Sequence, residues 1–461
     1  MRVLLILPQI NSPCLWHPGL AYISAVLKEN NHQAELFEMD DYDRQIGGLL
    51  GKIKEFSPGI IGISSNSHQF SHTKKIAQEI KKNYSLPVFA GGAHTTLRPE
   101  VIKEEKSFDG VIIGEGERAF LSLVNKIESK EDYSAVDNCW FRKGGQIIKN
   151  KLAPLIEDLN TLPFPDRSIF RYFYENKEKR TPRFIFSRGC PFECTYCCNH
   201  IFKKIYHNLG RYVRWRSVDS ALREIELTRE KYYFNYFKVD DDIFSLNKQW
   251  LLEFCGKFQE KFKDLTYECN VRPGAIDEEG LVNLKKSGCR LIKIGIETGN
   301  EDLRKKVLNR NFSNQDIIDT FSRAKKIGLK TFSFNMVGIP GETRETIRET
   351  MELNKIIKPA FMQVTVFYPY PNTALGEICS KNGYMERDFE NSYMEKTILK
   401  LPTISKKEIE KAARDFKFNV YWSYDKKKAL AEKKRRIKKF IIARPLLHFL
   451  AKFFKKFIKI K

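Results

Sequence analysis

Three cysteines stand close together in the segment SRGCPFECTYCCNH, residues 187–200. Their spacing is Cys-x3-Cys-x2-Cys, on a loop that follows a short apolar run. Thiolates of this kind hold iron–sulfur clusters, and a 4Fe–4S cluster usually takes four of them. Because only three are suitably spaced, one iron would be left free to chelate a substrate or cofactor. We therefore expect Cys190, Cys194 and Cys197 to hold a 4Fe–4S cluster and to form the catalytic centre.

Structural zinc is the main alternative, since Cys3His sites are common. Cys198 and His200 are near enough in sequence to supply a fourth ligand. The side chains of consecutive residues diverge, however, so Cys197 and Cys198 rarely reach one metal. Cysteines without any metal are the remaining possibility. We favour the cluster and set Cys198 aside as a bystander.

The apolar run before the cysteines opens a series of alternating strands and helices. Six βα units predict a partial (β/α)6 barrel, in which functional residues lie at the carboxyl ends of the strands. The predicted strands are Arg183–Ser187, Tyr236–Asp240, Leu265–Asn270, Leu291–Glu297, Thr331–Val337 and Met362–Tyr368.

An earlier series of five short apolar strands with intervening helices occupies residues 1–130. This alternation predicts an α/β doubly wound, flavodoxin-like parallel sheet, with ligands bound beyond the carboxyl ends of its strands. The predicted strands are Val3–Leu7, Ala34–Glu38, Gly59–Ser64, Pro87–Ala90 and Gly110–Ile113.

Five regions follow from these patterns: the first sheet (1–130), a linker with a hairpin at Gly144–Gly145 (131–180), the barrel (181–375), a helical region (376–432) and a basic tail (433–461).

The three-cysteine loop after the first barrel strand resembles the signature of the radical S-adenosylmethionine (SAM) superfamily. The resemblance implies that the open iron binds the amino and carboxylate groups of SAM. It further implies that the reduced cluster cleaves SAM to a 5′-deoxyadenosyl radical, which abstracts hydrogen. A flavodoxin- or ferredoxin-type reductant and a small-molecule or lipid substrate are expected as partners.

Four strand-end motifs are similar to the SAM-contacting strands of that family: KVDDDIFS, IGIETGNED, FNMVGIPGET and VFYPYPNT. Their carboxylates suit an ammonium or paired ribose hydroxyls. A solvated acidic turn, a helix N-cap, ordinary turn chemistry and a core aromatic are the respective alternatives. The expected SAM contacts are Asp240, Asp241, Glu297, Thr298, Asn335, Gly338 and Tyr368.

Residues 1–130 resemble the cobalamin-binding domain that is fused to many radical SAM proteins, notably in HPGLAYISAVLKENNH and GGAHTTLRPE. The corresponding stretch MDDYDRQIGG lacks the Asp-x-His-x-x-Gly histidine that binds cobalt in many cobalamin proteins. Radical SAM relatives often lack it too, so cobalamin is still expected; loss of the cofactor is the alternative. The expected cobalamin contacts are Ser64, Ser65, Asn66, Gly91, Gly92, His94, Gly114, Glu115 and Gly116.

The net charge of +23 is concentrated at the end of the chain, where residues 426–461 hold fifteen Lys and Arg residues and one acidic residue. Residues 433–461 combine lysines with apolar residues at helical spacing, which favours a helix on an anionic membrane surface. Packing on the barrel is the second interpretation, and nucleic acid binding is disfavoured because an apolar face adds nothing to phosphate contact. The N-terminus does not resemble a secretory signal and no apolar run is long enough to span a membrane. These features predict a cytoplasmic protein with peripheral membrane contact.

The two resemblances together imply a cobalamin-dependent methyltransferase acting on an unactivated carbon of a lipid or other natural product. A cyclase or rearrangement enzyme resembling porphyrin cyclases is the first alternative. A non-catalytic cobalamin- or lipid-binding protein and an electron carrier are others, but the three-cysteine loop argues against both.

Overall fold

The computed structural model describes residues 1–10, 16–171, 181–386 and 396–442. Two large sheets, one mixed and one parallel, together with the helices packed against them, make up most of these residues.

The first sheet has seven strands, of which the first five along the chain are parallel. Their spatial order is β2-β1-β3-β4-β5, the flavodoxin-like order, so the predicted doubly wound fold is confirmed. The elements are β1 (Arg2–Pro8), α1 (Pro18–Glu29), β2 (Gln33–Met39), α2 (Tyr42–Phe56), β3 (Ile60–Ser64), α3 (Phe70–Asn83), β4 (Val88–Gly91), α4 (Ala93–Leu97), α5 (Val101–Glu104), β5 (Gly110–Ile112) and α6 (Glu117–Glu128).

Alternate residues of β1 enter different hydrophobic clusters, because successive side chains of a strand point to opposite faces. Leu4 and Ile6 pack with residues of α2 and α3. Val3 and Leu5 pack with residues of α1 and α6 on the other face. A strand buried on both faces is therefore apolar throughout, as RVLLILP is.

The hairpin predicted at Gly144–Gly145 is present, as β6 (Cys139–Lys143) and β7 (Gln146–Lys149). Both turn glycines have positive φ, of 57° and 79°, which suits a two-residue hairpin turn. Strand β6 pairs antiparallel with β5. The first sheet thus continues past residue 130 into the segment that we assigned to the linker. The division of the chain into five regions stays a prediction.

The second sheet has six parallel strands in the order of the chain, and β8 and β15 form its two edges. This open sheet, with helices on its outer face, is the predicted partial barrel. The elements are β8 (Arg183–Phe184), β9 (Ser187–Arg188), α7 (Asn199–Ile205), β10 (Arg214–Trp215), α8 (Val218–Lys231), β11 (Tyr236–Val239), α9 (Lys248–Lys261), β12 (Thr266–Val271), α10 (Glu278–Lys286), β13 (Cys289–Glu297), α11 (Asn314–Lys326), β14 (Lys330–Val337), α12 (Arg344–Ile357) and β15 (Phe361–Val366).

Aromatic side chains fill the space between the barrel strands and their helices. The ring of Phe237 on β11 stacks on that of Tyr267 on β12, with centroids 5.4 Å apart. Phe254 of α9 meets Tyr267 edge-on at 5.9 Å. Because this cluster occupies the helix side of the sheet, polar side chains on the alternate positions are left for the inner face.

Within the described residues, three helices follow the barrel: α13 (Ala374–Lys381), α14 (Lys406–Tyr421) and α15 (Lys426–Ile442). Helix α15 packs on α14 through buried Ala429 and through the ion pair of Arg436 with Asp415, at 2.7 Å. The predicted tail begins within α15, and residues 443–461 lie outside the described residues. In the part of the chain that is described, every helix is too short or too polar to cross a bilayer.

Candidate active site

The three predicted ligand cysteines lie on one loop at the carboxyl end of the first barrel strand. The loop follows β9 and ends where α7 begins at Asn199. Cys194 is buried, Cys190 and Cys197 are half-buried, and all three are free thiols. The Cys197 N–H donates to the Cys194 carbonyl at 3.0 Å, so the loop is closed on itself.

A later segment, Val307–Arg310, holds this loop from the side; we call it the clasp. The Thr195 hydroxyl donates to the Val307 carbonyl at 2.6 Å, and the Thr195 N–H donates to the Leu308 carbonyl at 3.2 Å. The Asn309 amide donates to the Glu193 carbonyl at 2.9 Å. Polar groups of the loop therefore form hydrogen bonds with the clasp, whereas the three thiols take no part in these bonds and remain available to other ligands.

Two arginines from distant parts of the chain converge on Cys194. The Arg272 guanidinium lies 3.9 Å from its Sγ, and the Arg310 guanidinium lies 3.8 Å from it. Arg310 also donates to the Tyr196 hydroxyl at 3.0 Å. Neither arginine was predicted from the sequence. Their positions directly after β12 and beyond β13, at the carboxyl edge of the barrel, were the only available signal.

Cys198 and His200 are engaged in other contacts. A hydrogen bond from Cys198 lowers the pKa of Cys197, so Cys198 acts on its neighbour instead of pointing at the same metal. The Ala374 N–H donates to His200 Nε2 at 3.3 Å, so Nδ1 carries the proton and donates to the Cys197 carbonyl. Among the described residues, no three or more His, Cys, Asp and Glu side chains converge on a single metal ion.

The three aspartates after β11 point in different directions. Asp240 pairs with Arg183 and lies 3.9 Å from Lys293. Asp241 is buried and accepts hydrogen bonds from the Phe186 N–H at 2.7 Å and the Ser187 hydroxyl at 2.6 Å. Burial raises the pKa of Asp241 to about 7. Asp241 therefore fixes the strand that leads into the cysteine loop, and its SAM contact stays a prediction.

Glu297 and Thr298 lie on opposite sides of the sheet. Glu297 has a φ of 68° and places its carboxylate 3.9 Å from Arg310, beside the cysteine loop. Burial raises the pKa of Glu297. Thr298 is buried against α12, with its hydroxyl 3.3 Å from that of Thr350. Only Glu297 of this pair faces the cysteines.

The remaining predicted SAM contacts are also spread out. Asn335 is buried and accepts a hydrogen bond from Asn354 of α12 at 2.7 Å. The Gly338 N–H donates to the Glu342 carboxyl in the turn after β14. The Tyr368 ring lies 3.9 Å from the ring of His68 in the first domain. None of these placements tests SAM binding, which stays a prediction for all seven residues.

A cavity of about 410 Å³ lies where the carboxyl ends of the two sheets face each other. Six of the nine predicted cobalamin contacts line it: Ser64, Gly91, Gly92, Gly114, Glu115 and Gly116. Its barrel wall is formed by Arg188, Gly189, Asn199, Phe202, Tyr206, Tyr212, Asp240 and Asp242, together with other side chains.

His94 is buried away from this lining. Its Nδ1 lies 3.0 Å from the Ser67 hydroxyl, and its ring stacks on Phe70 with centroids 3.9 Å apart. Burial lowers the pKa of His94 to about 3, so the imidazole is neutral. These contacts stabilise the loop around His94, and its cobalamin contact stays a prediction.

His17 lines the cavity, and the sequence analysis did not single it out. The Leu20 N–H at the start of α1 donates to His17 Nδ1 at 3.1 Å. Nε2 therefore carries the proton and donates to the Ser64 hydroxyl oxygen at 3.2 Å. The Ser64 hydroxyl hydrogen is thus left to donate elsewhere.

Asn199 connects the cavity wall to the cysteines. Its amide lies 3.8 Å from Cys197 Sγ and 3.1 Å from the Asp242 carboxylate. The Tyr212 hydroxyl donates to its amide oxygen at 2.8 Å. A group in the cavity would therefore lie one side chain away from the cysteine loop.

The fold and the site define an α/β protein with a cluster-type cysteine loop and a second ligand cavity. Residues 184–353 match the family described as the radical SAM superfamily, and residues 12–124 match the B12 binding domain. The chain therefore carries an N-terminal B12-binding domain followed by a radical SAM domain.

Relatives and a solved structure agree with both matches. An uncharacterised methyltransferase of Pyrococcus horikoshii is 26% identical over 400 residues, covering 84% of each chain. An anaerobic magnesium-protoporphyrin IX monomethyl ester cyclase of Rubrivivax gelatinosus is 26% identical over 392 residues, covering 80% of this chain and 68% of the relative. The radical SAM methyltransferase TsrM from Kitasatospora setae shares the fold, with a TM-score of 0.69 and 16% identity over 89% of this chain and 83% of TsrM.

These two domains imply a 4Fe–4S cluster, SAM and cobalamin as cofactors, and the residues present fit them. Three free thiols with guanidinium donors at Cys194 are a suitable donor set for a cluster. Six glycines are among the residues with which the B12-binding domain lines the cavity, and the absence of their side chains leaves room for a large flat ligand.

Proposed function

We propose that this enzyme transfers a methyl group to an unactivated carbon of a small-molecule or lipid natural product. The observation that carries the proposal is the position of Asn199, which lines the cavity and contacts the sulfur of Cys197. A cavity suited to one cofactor thereby lies beside the ligands of another. Methyl transfer from cobalamin to a substrate radical needs this proximity.

When bound, the cluster would supply the electron that cleaves SAM, and cobalamin would supply the methyl group. The protein's own residues have three tasks. Cys190, Cys194 and Cys197 hold the cluster, while Arg272 and Arg310 compensate the negative charge at Cys194. Backbone of the glycine loops forms the opposite wall of the cavity. Asp240 and Glu297 are retained as SAM contacts because both face the inner side of the barrel.

The test is anaerobic reconstitution with iron and sulfide, followed by reduction in the presence of SAM, cobalamin and a cell lipid extract. We expect 5′-deoxyadenosine and S-adenosylhomocysteine among the products. Cys197→Ala should abolish both, whereas the neighbouring Cys198→Ala should retain the cluster and both products. A cluster that leaves SAM intact would contradict the proposal and favour an electron carrier.

Cyclisation or rearrangement is the second candidate, and the Rubrivivax relative with a cyclase name favours it. Such a reaction needs the 5′-deoxyadenosyl radical but consumes no methyl group. Formation of 5′-deoxyadenosine without S-adenosylhomocysteine would therefore support cyclisation over methyl transfer.

We further propose that the enzyme is cytoplasmic and contacts the membrane through its basic C-terminal region. Trp422, Leu430 and Ile437 on and beside α15 are about half exposed among lysines, an arrangement suited to anionic lipid. Deleting residues 433–461 should abolish sedimentation with vesicles containing phosphatidylserine. Unchanged sedimentation would refute the membrane contact. A flavodoxin- or ferredoxin-type protein is the proposed reductant.

A further inference from the structure

Four charged side chains, two of them buried and two half-buried, form an ionic group between the two domains; we call it the Glu115 cluster. It consists of Glu115 and Glu117 from the B12-binding domain and Arg188 and Arg214 from the barrel. Arg188 donates to Glu115 at 2.9 Å and to Glu117 at 2.6 Å. Arg214 donates to both oxygens of Glu115, at 2.9 Å and 3.2 Å. The charges balance, and each guanidinium is held in a fixed direction.

The linker between the domains is attached to the same group. The Ile156 N–H donates to Glu115 at 3.0 Å, and Arg214 donates to the Ile156 carbonyl at 2.7 Å. One carboxylate thus fixes three segments that are far apart in sequence. Glu115 was expected to contact cobalamin, but its oxygens are occupied by these partners.

On the barrel side, the Glu115 cluster reaches the cysteine loop over a very short stretch of chain. Arg188 and Arg214 lie opposite each other in the β9–β10 pair, and Cys190 is two residues beyond Arg188. The intervening Gly189 has a φ of 88°, and a Cβ there would lie 2.3 Å from the Tyr212 carbonyl oxygen. The backbone therefore has little freedom to absorb a displacement of Arg188.

On the other side, Glu115 belongs to the wall of the cavity. Gly114 and Gly116 flank it, and all three residues line the cavity together with Arg188. The Glu115 N–H donates to the Tyr206 hydroxyl at 2.8 Å, which ties the same turn to α7 and the residues after it. A ligand that fills the cavity therefore contacts Glu115 on one side and Arg188 on the other.

We infer that Glu115 is a positioning residue that couples cobalamin binding to SAM binding at the cluster. Occupation of the cavity fixes the Gly114–Gly116 turn, and the Glu115 cluster transmits that constraint through Arg188 to Cys190. By linkage, SAM must then favour cobalamin binding by the same factor. The inference rests on the proposed two-cofactor function but requires no methyl transfer.

The test uses the full chain with its cluster reconstituted and left oxidised, so that SAM binds without being cleaved. Dissociation constants for SAM are measured with and without hydroxocobalamin, and those for hydroxocobalamin with and without SAM. The variants are Glu115→Gln and, as a second perturbation, Arg188→Lys. The lysine keeps the charge but cannot contact Glu115 and Glu117 at the same time in the way that the guanidinium does. Iron content confirms that each protein carries its cluster.

Glu224→Gln is the matched control, because Glu224 forms a comparable buried pair with Arg167, at 2.8 Å, away from the cavity lining. In the wild type, each ligand should tighten the other by about fivefold or more. Glu115→Gln and Arg188→Lys should bring that factor close to one. Glu224→Gln should leave the factor unchanged, although we expect it to lower thermal stability by a similar amount.

Equal coupling in Glu115→Gln and the wild type would overturn the inference, as would absence of coupling in the wild type or its loss in Glu224→Gln. Failure of methyl transfer with coupling intact would refute the proposed function alone. Binding and turnover thus report on the two proposals separately.

Discussion

Cys194 differs from the other two ligand cysteines in being buried beside two guanidinium groups, those of Arg272 and Arg310. Hydrogen bonds and positive charge at a cluster thiolate stabilise the reduced, more negative state. The arginines should therefore make the cluster easier to reduce.

We predict that Arg272→Met lowers the midpoint potential of the cluster. If the lost contact stabilises the reduced cluster by about 1.5 kcal/mol more than the oxidised cluster, the potential falls by roughly 60 mV for one electron. Redox titration followed by electron paramagnetic resonance measures the shift. Arg272→Lys, which keeps the charge, should shift less, and identical potentials for Arg272→Met and the wild type would contradict the prediction.

A second prediction at this scale concerns the hydrogen bonds from Leu20 through His17 to Ser64. Burial lowers the pKa of His17 to about 4, so the imidazole stays neutral and orients the Ser64 hydroxyl at the cavity wall. His17→Ala should weaken hydroxocobalamin binding about three- to tenfold, the value of one hydrogen bond. Spectrophotometric titration provides the measurement.

His32→Ala is the control for this experiment, since His32 is also buried in the B12-binding domain but bonds to Asn125 at 2.8 Å. It should lose stability without losing cobalamin affinity. Equal weakening by both substitutions would mean that His17 acts only through the fold.

At the scale of elements, the turn between β14 and α12 is held by a buried carboxyl. Glu342 accepts hydrogen bonds from the N–H groups of Gly338 and Ile339, and Thr343 then caps the helix. The Glu342 side chain thus serves the turn, and the helix begins two residues later, at Arg344. Burial raises the pKa of Glu342 from 4.5 to about 8.

We predict that this carboxyl makes the fold less stable as pH rises from about 4.5 to about 8. In that window the unfolded chain has released the proton that the folded chain retains, so folding stability falls by up to about 1.4 kcal/mol per pH unit. Below about pH 4.5 Glu342 is protonated in both the folded and the unfolded chain, so its full contribution to folding stability is present. Urea denaturation at several pH values measures the slope.

Glu342→Gln removes the titrating group while keeping an oxygen acceptor for the turn. Its stability should depend less on pH in the same window and should exceed that of the wild type near pH 8. An unchanged slope would assign the pH dependence to other groups, such as the buried Asp241.

The strands of both sheets could be predicted from the sequence because each is a short apolar run with polar or glycine boundaries. The pairing of β6 could not be predicted in this way, because its local pattern indicates a hairpin but not that β6 pairs with β5 at the edge of the first sheet. The same holds for Arg272 and Arg310. Their contact with Cys194 spans 78 and 116 residues, and no local pattern encodes such a distance.

At the scale of the whole molecule, Gly114 is a position where the two domains approach each other closely. It has a φ of 74°, and a Cβ there would lie 1.8 Å from the Tyr206 hydroxyl. Strand-end glycines could be predicted to line a ligand site, but their contact with the barrel could not. The ion pairs of Glu115 could not be predicted for the same reason, because its arginine partners lie across the domain boundary, and its cobalamin contact stays a prediction.

We predict that Gly114→Ala destabilises the protein by roughly 2–6 kcal/mol, the sum of backbone strain and overpacking. It should also weaken hydroxocobalamin binding, because the domains can no longer approach across the cavity. Denaturant unfolding and titration are the measurements.

Gly144→Ala is the matched control, since Gly144 also has a positive φ, of 57°, but no atom within 4 Å of the added Cβ. Gly144→Ala should lower the free energy of unfolding only by the backbone strain, about 1–2 kcal/mol, and should leave cobalamin affinity unchanged. Similar losses in both variants would argue against a tight domain contact at Gly114.

The clasp over the cysteine loop also has a consequence for biosynthesis. Val307 follows its partner Thr195 by 112 residues. At ordinary translation rates, roughly 6 to 20 s separate the emergence of the two from the ribosome. During that interval the three thiols are synthesised while the loop that carries them is not yet held by the clasp. We therefore expect cluster insertion to be faster into the nascent chain, whose loop can adapt to the cluster, than into the finished chain, whose loop is already fixed.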